Sequence, residues 1–324
     1  MSTNLPLGVV RGLDACALPS GKFVLLSIDV RQRLRAELNP TDPNAVSAAE
    51  MIEFKRTVVR SLGPVVTGSL LDPEMGAGHC LIDATQPGQR GLVVALEETG
   101  YVGPATDRLS RQLEGWSVEK AKRMGASAAK LLVYYHADAA SASLQESFLE
   151  RVAAECLRSE LPLFVETLVF SPQTGGNLTG QLRTEAIIEA ARRLSAVGGD
   201  VYMAQFPGDP ALGDGAASAE ACAALNEACS KPWLLLAGPA DFGTYVCQAE
   251  LAATAGASGI LAGKTVWGDA LTLGPVARTE FLGTTGCERV RQLTDLVEGR
   301  ATPWRTPAAG ALVGSLAEGW YRDY

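Results

Sequence analysis

The sequence predicts an α/β protein of the (β/α)8 TIM-barrel class. Short runs rich in Val, Leu and Phe recur along the chain, each continuous enough to be buried on both faces, as parallel strands are. Helical stretches separate them, and eight such alternations close into a barrel. A third observation bears on function: run after run carries a polar or ionisable residue at or near an end. Residues 24–29 end on Asp29, 130–136 open on Lys130, 163–170 hold Glu166, and 259–264 close on Lys264. Reactive groups collect at the C-terminal ends of barrel strands, so these residues mark a candidate site.

The elements follow in order. Residues 23–29 form the first strand, and an amphipathic helix spans about 48–62. A second strand at 65–71 ends in the turn Asp72-Pro-Glu-Met-Gly, and the third is 91–97. Ser117 caps a short helix that Gly125 ends, and strand four follows at 129–135. A helix over 144–158 leads past Pro162 into strand five. A helix over 184–196 precedes strand six, 201–206. Ser218 starts the next helix, strand seven is 233–237, and a helix over 245–255 runs into strand eight at 259–262. Gly256-Ala-Ser258 repeats Gly125-Ala-Ser127, so a glycine-ended helix passing directly into a strand is used twice. Gly213-Asp-Gly215 lacks the context of a nucleotide fingerprint and reads as a flexible loop.

Composition narrows the function. With 324 residues, 47% of them hydrophobic, the chain builds a large core. Barrels commonly reach ~250 residues or more, so one barrel domain over 1–324 with short N- and C-terminal extensions is expected. A net charge of −8 argues against nucleic acid, whose phosphates demand a basic footprint. No signal peptide and no stretch of ~18 apolar residues is visible, which points to a cytoplasmic protein without a membrane partner. The seven cysteines are dispersed with no Cys-x-x-Cys pair and read as reduced and structural. The two histidines, His79 and His136, are too few for a histidine-rich metal site, though Asp and Glu could still hold Mg²⁺; no metal or cofactor is expected. Homo-oligomerisation is left open.

Asp29, Lys130, Glu166, the 236–238 segment and the 262–264 segment would surround one pocket. A lysine and two carboxylates in a partly dry pocket suit carbonyl chemistry, with the amine forming an imine and the carboxylates moving protons. Backbone amides after strands seven and eight are where barrels commonly hold phosphate, and Lys264 adds a cation. Plainer readings stand beside these. Asp29 could simply cap its loop, Lys130 could only neutralise Glu166, and Lys264 could be a solvated loop lysine.

Ile28-Asp29-Val-Arg31, Leu71-Asp-Pro-Glu74, Leu96-Glu-Glu-Thr-Gly-Tyr101, Ala129-Lys-Leu-Leu-Val-Tyr-Tyr135, Phe164-Val-Glu166, Thr284-Thr-Gly286 and Arg300-Ala-Thr-Pro-Trp304 occur in series. The ordered series resembles the class I tagatose-1,6-bisphosphate aldolases and the related sulfofructose-phosphate aldolases, over roughly residues 10 to 305. The resemblance implies reversible retro-aldol cleavage of a phosphorylated ketose through a Schiff base, without metal. By resemblance Asp29, Lys130 and Glu166 match active-site residues and Lys264 takes the place of an arginine near phosphate; Arg31, Met203, Gln205, Ala237, Gly238 and Gly263 are expected to complete the substrate pocket.

The departure is on strand six. The family reads Asp-Val-Leu-Lys-Val-Glu-Val-Pro, with the imine-forming lysine; here the stretch is Asp200-Val-Tyr-Met-Ala-Gln-Phe-Pro207. Met203 takes the lysine position and Gln205 replaces a glutamate, both with the inward parity of the strand. Three readings follow: a carbon–carbon lyase using Lys130 as its amine; an isomerase, epimerase or dehydratase using Asp29, Lys130 and Glu166 as acid and base; or a silent paralogue that only binds a sugar phosphate.

Overall fold

The computed structural model describes residues 5–209, 211, 213–305, 319 and 321. Eight parallel strands form a closed barrel in chain order: β1 Phe23–Ser27, β2 Gly68–Leu71, β3 Gly91–Ala95, β4 Ala128–Tyr135, β5 Leu163–Val169, β6 Val201–Ala204, β7 Trp233–Leu235 and β8 Gly259–Ala262. The expected barrel is therefore the observed one.

Alternation along each strand sorts the side chains. Phe23, Leu25, Leu70, Val93, Ala128, Phe164, Val201, Met203, Leu234 and Leu261 point inward and make one cluster in the barrel. Their neighbours, such as Val24, Leu71, Val94, Leu131, Val165 and Tyr202, point outward into the layer beneath the helices. Helix Leu7–Ala15 brings Val9 and Leu13 into the interior cluster beside Phe23 and Phe164, and so plugs the N-terminal end of the barrel. Chemistry is left to the opposite end.

The caps follow the sequence reading. The Ser117 hydroxyl accepts from the Lys120 amide, and Gly125 and Gly256 end their helices at φ +93 and +117. Side chains with a Cβ rarely adopt that conformation, which explains the repeated Gly-Ala-Ser.

Several boundaries differ. β2 starts at Gly68 because Gly63–Val65 takes a 3-10 turn set by Pro64. The helix before β6 starts at Gly180, four residues early. Asp214 accepts from the amides of Ala216 and Ala217, so Gly213-Asp-Gly215 is a helix cap rather than a loose loop, and helix Gly215–Ala228 already contains Ser218. Beyond β8, helices Lys264–Trp267, Pro275–Phe281 and Cys287–Arg300 had no counterpart in the sequence reading. The last packs on β1, β8 and helix Ala48–Leu62.

Candidate active site

Lys130 stands at the centre of the barrel mouth. Its inward position on β4 places Nζ 2.9 Å from Asp29 Oδ2, 2.8 Å from Glu97 Oε1 and 2.7 Å from Glu166 Oε2. An ammonium has three N–H donors, and here three carboxylates face them. The lysine side chain is 2% exposed, whereas those of Asp29 and Glu166 are 11% and 16% exposed. The cluster is thus buried on its lysine side and reachable on its carboxylate side.

Each partner has its own anchor. Ser27 Oγ donates to Asp29 Oδ1 at 3.2 Å. Glu97 continues the inward series Val93, Ala95 just past β3, and its Oε2 accepts from the Leu132 amide at 3.1 Å. Glu166 lies beside Met203 in the β5–β6 register. Arg31, 5% exposed, reaches Glu74 at 2.7 Å, the Glu97 carbonyl at 2.9 Å and the Glu97 carboxylate at 3.6 Å. Two cations, Lys130 and Arg31, therefore face four carboxylates.

The electrostatics separate the groups. Burial opposes the Lys130 charge, but the carboxylates of Asp29, Glu166 and Glu97 outweigh it and hold the ammonium pKa well above the ordinary lysine value. Burial also works against ionised Asp29, yet the charge of Lys130 and its hydrogen bond, with Arg31 and Lys55 behind, keep this carboxyl below its usual range. Glu166 goes the other way. Burial raises it, and repulsion from Asp29 and Glu97 adds to that against the pull of Lys130. Carboxyls driven apart by their surroundings are suited to different proton-transfer roles.

The rest of the mouth is quieter. Met203 is fully buried in the interior cluster, beside Leu234 in the β6–β7 register. Gln205 turns its Oε1 to the Val169 amide at 2.9 Å and so ties the end of β5. Ala237 and Gly238 follow β7, and Gly263 caps helix Lys264–Trp267. A Cβ on Gly263 would lie 2.6 Å from that of Ala237, so only glycine lets these two strand ends approach so closely. Lys264, 44% exposed, pairs with Glu37 at 2.6 Å. Asp29, Lys130 and Glu166 thus come together, joined by Arg31 through Glu97. Met203 shares the wall of Glu166 and Gln205 ties the ends of β5 and β6, while Ala237, Gly238, Gly263 and Lys264 follow β7 and β8.

Glu97 was missed from sequence, although its motif was in view. The signal was its inward parity after Val93 and Ala95: a carboxylate there is buried and demands a cation. The pair between Lys55 and Asp72, both fully buried, also escaped notice; Lys55 sits on a helix whose periodicity reads as an ordinary amphipathic face.

The family profile of DeoC/LacD aldolases matches residues 34–269. The chain belongs to the DeoC/LacD family of aldolases. Its relatives include the tagatose 1,6-diphosphate aldolase of Lactococcus lactis subsp. lactis, 28% identical over 322 residues, covering 91% of this chain and 96% of the relative. Tagatose 1,6-diphosphate aldolase 1 of Enterococcus faecalis is 30% identical, covering 85% of this chain and 90% of its own length. Among solved structures, an archaeal fructose 1,6-bisphosphate aldolase superposes with a TM-score of 0.61 at 20% identity, over 90% of this chain and 99% of that one. At that identity the likeness speaks for the fold. No helix among the described residues is long and apolar enough to cross a membrane.

Proposed function

We propose that the protein is a cytoplasmic lyase that cleaves or forms a carbon–carbon bond in a phosphorylated ketose, through an enolate rather than an imine on the protein. One observation carries this reading: Lys130 meets three carboxylates at 2.9 Å or less. An imine needs a free amine lone pair, and this environment keeps the nitrogen protonated. Met203 on β6 offers no amine in its place. Family membership supports the reaction class, and the names of the relatives support the ketose phosphate.

The same contacts supply a mechanism. Glu166, whose carboxyl burial holds above the ordinary carboxylate range, removes the proton of the hydroxyl one carbon beyond the carbonyl-adjacent carbon. The carbon–carbon bond breaks, its electron pair moves to the carbonyl oxygen, and an aldehyde leaves. Protonated Glu166 no longer holds Lys130 electrostatically, so one ammonium N–H turns to the new oxyanion. Negative charge passes from Glu166 to the substrate oxygen while Lys130 stays cationic and fixed, as preorganised electrostatic catalysis requires. Asp29 stays ionised and holds Lys130 in place.

A second reading rests on the same pair. If Glu166 takes a carbon-bound proton, the enolate leads to isomerisation or epimerisation without cleavage. One experiment covers both: ketose phosphates, and dihydroxyacetone phosphate with aldehydes, are incubated in deuterium oxide and followed by NMR, with parallel borohydride trapping read by intact mass. We expect cleavage or condensation products and no reduced adduct. Deuterium exchange without cleavage would select the isomerase. A borohydride adduct on Lys130 would establish imine chemistry and overturn the enolate mechanism. Absence of binding by every ketose phosphate would overturn the function.

A further inference from the structure

The cations of the Lys130 cluster and of the β8 rim have carboxylate partners. Lys130, Arg31 and Lys264 are each paired, and Lys55 beneath them is paired with Asp72. Arg108 makes no ion pair among the described residues. It lies on the long segment between β3 and helix Val118–Met124, which folds back on itself through the Val102–Leu109 bridge. Three rings cage its guanidinium: Tyr101 at 4.6 Å, Phe170 at 4.9 Å and Tyr134 at 5.5 Å. Tyr101 and Tyr134 meet edge to face at 5.3 Å. Nε donates to the Ala105 carbonyl at 3.1 Å and Nη2 to that of Gly175 at 2.6 Å, which leaves Nη1 uncommitted among the described residues.

The position is as informative as the cage. Tyr134 has the inward parity of Lys130 on β4, and four residues of strand rise put it about 13 Å further along the strand, toward the top. Phe170 directly follows β5, the strand of Glu166. Arg108 therefore sits above the Lys130–Glu166 pair on the β4–β5 side. In the closed barrel β8 lies across from β4, so the glycine-lined ends of β7 and β8 with Lys264 face it over the mouth. A planar guanidinium held rigid by rings and carbonyls, with one edge free, suits a tetrahedral oxyanion.

We propose that Arg108 is a specificity-determining residue: it binds the far-end oxyanion, phosphate or sulfonate, of a ketose whose first phosphate rests on the β7–β8 side. This rests on the proposed function above. Arg108 then selects substrates with an anion at both ends over those with one. A purely structural role, stapling the segment to the Gly175 loop, would not distinguish the two.

The test compares full-length wild type with Arg108→Gln and Arg108→Lys. Dissociation constants are measured by calorimetry for a ketohexose 1-phosphate, its 1,6-bisphosphate and its 6-sulfonate analogue. A charge-assisted contact of the usual strength predicts a loss of about 10- to 100-fold for the doubly anionic ligands in Arg108→Gln, with the monophosphate within about two-fold. Arg108→Lys recovers part of the loss. The doubly anionic ligand that loses more identifies the natural far-end group. Equal losses for ligands with one anionic group and with two mark a structural staple and overturn the proposal, as does no loss at all. If wild type binds none of the ligands, the ketose-phosphate reading falls and this proposal with it.

Discussion

Two buried lysines serve this barrel in opposite ways. Lys55 and Asp72 are both fully buried and pair one to one; Asp72 also caps the following turn through the Met75 amide at 2.7 Å. Their charges balance and no solvent reaches them. Lys130 is nearly as buried, but three carboxylates share it and two of these touch solvent. A closed pair holds structure. An over-supplied lysine at an open mouth keeps carboxylates that a stable fold does not require, since burying charge is costly unless it is paired. The difference between the two lysines is the physical signature of the site.

The sharpest way to break this comparison is at Lys55. Lys55→Met leaves Asp72 charged and sealed from water, which costs about 3–5 kcal/mol. Urea denaturation measures it. The double variant Lys55→Met/Asp72→Asn removes the stranded charge and restores much of the stability, so a fold lost in the single variant still yields an answer. Turnover per folded molecule falls far less than stability does, since Lys55 is the last of the cations acting on Asp29. A single variant as stable as wild type would show that the pair is not the closed structural element described here.

At the mouth the order reverses, with chemistry lost before structure. Glu166→Gln is expected to lower turnover by about 10²- to 10⁴-fold, the range for a general acid–base residue. The pH dependence gives the sign. Folding raises the Glu166 pKa from its ordinary 4.5, chiefly through burial. The native state therefore binds more protons than the unfolded chain between 4.5 and the raised value, and this group lowers stability as pH rises through that window. Its ionised form is the working base, so the acid limb of kcat/KM lies above the ordinary carboxylate range. Glu166→Gln removes both the limb and the stability slope. An acid limb that survives in this variant would assign the proton transfer elsewhere.

How much of this was legible follows from periodicity. The eight strands were readable because runs buried on both faces leave a dense apolar signal, and inward parity correctly put Met203 inside the barrel. Asp29, Lys130 and Glu166 were readable as charges in apolar runs. Glu97 was harder because it lies just past a strand end, where a carboxylate reads as the start of a loop. Lys55 was harder still, since a single lysine in an amphipathic helix usually faces water and only its pairing with Asp72 turns it inward. Arg108 carried no periodic signal at all. Its cage gathers Tyr101, Tyr134 and Phe170 from three segments, and only tertiary structure brings them together.

The smallest expected effect is also the most discriminating at the rim. Lys264 is half exposed and paired with Glu37, and such pairs contribute about 0–1 kcal/mol, so Lys264→Ala leaves stability nearly unchanged. Its binding role has a finer test in the partner. Glu37 also holds Arg33 at 2.9 Å, and an incoming phosphate must compete with it for Lys264. Glu37→Gln removes the competitor's charge. If Lys264 contacts the first phosphate, a ketose 1-phosphate binds a few-fold more tightly to Glu37→Gln and a few-fold more weakly to Lys264→Ala, on the scale of one exposed charge-assisted contact. If the pair only decorates the rim, calorimetry finds the same dissociation constant in all three proteins. The phosphate would then rest on the backbone amides beside Gly238 and Gly263 alone, and the contrast between a rigid Arg108 and a yielding Lys264 would become one between a side-chain site and a backbone site.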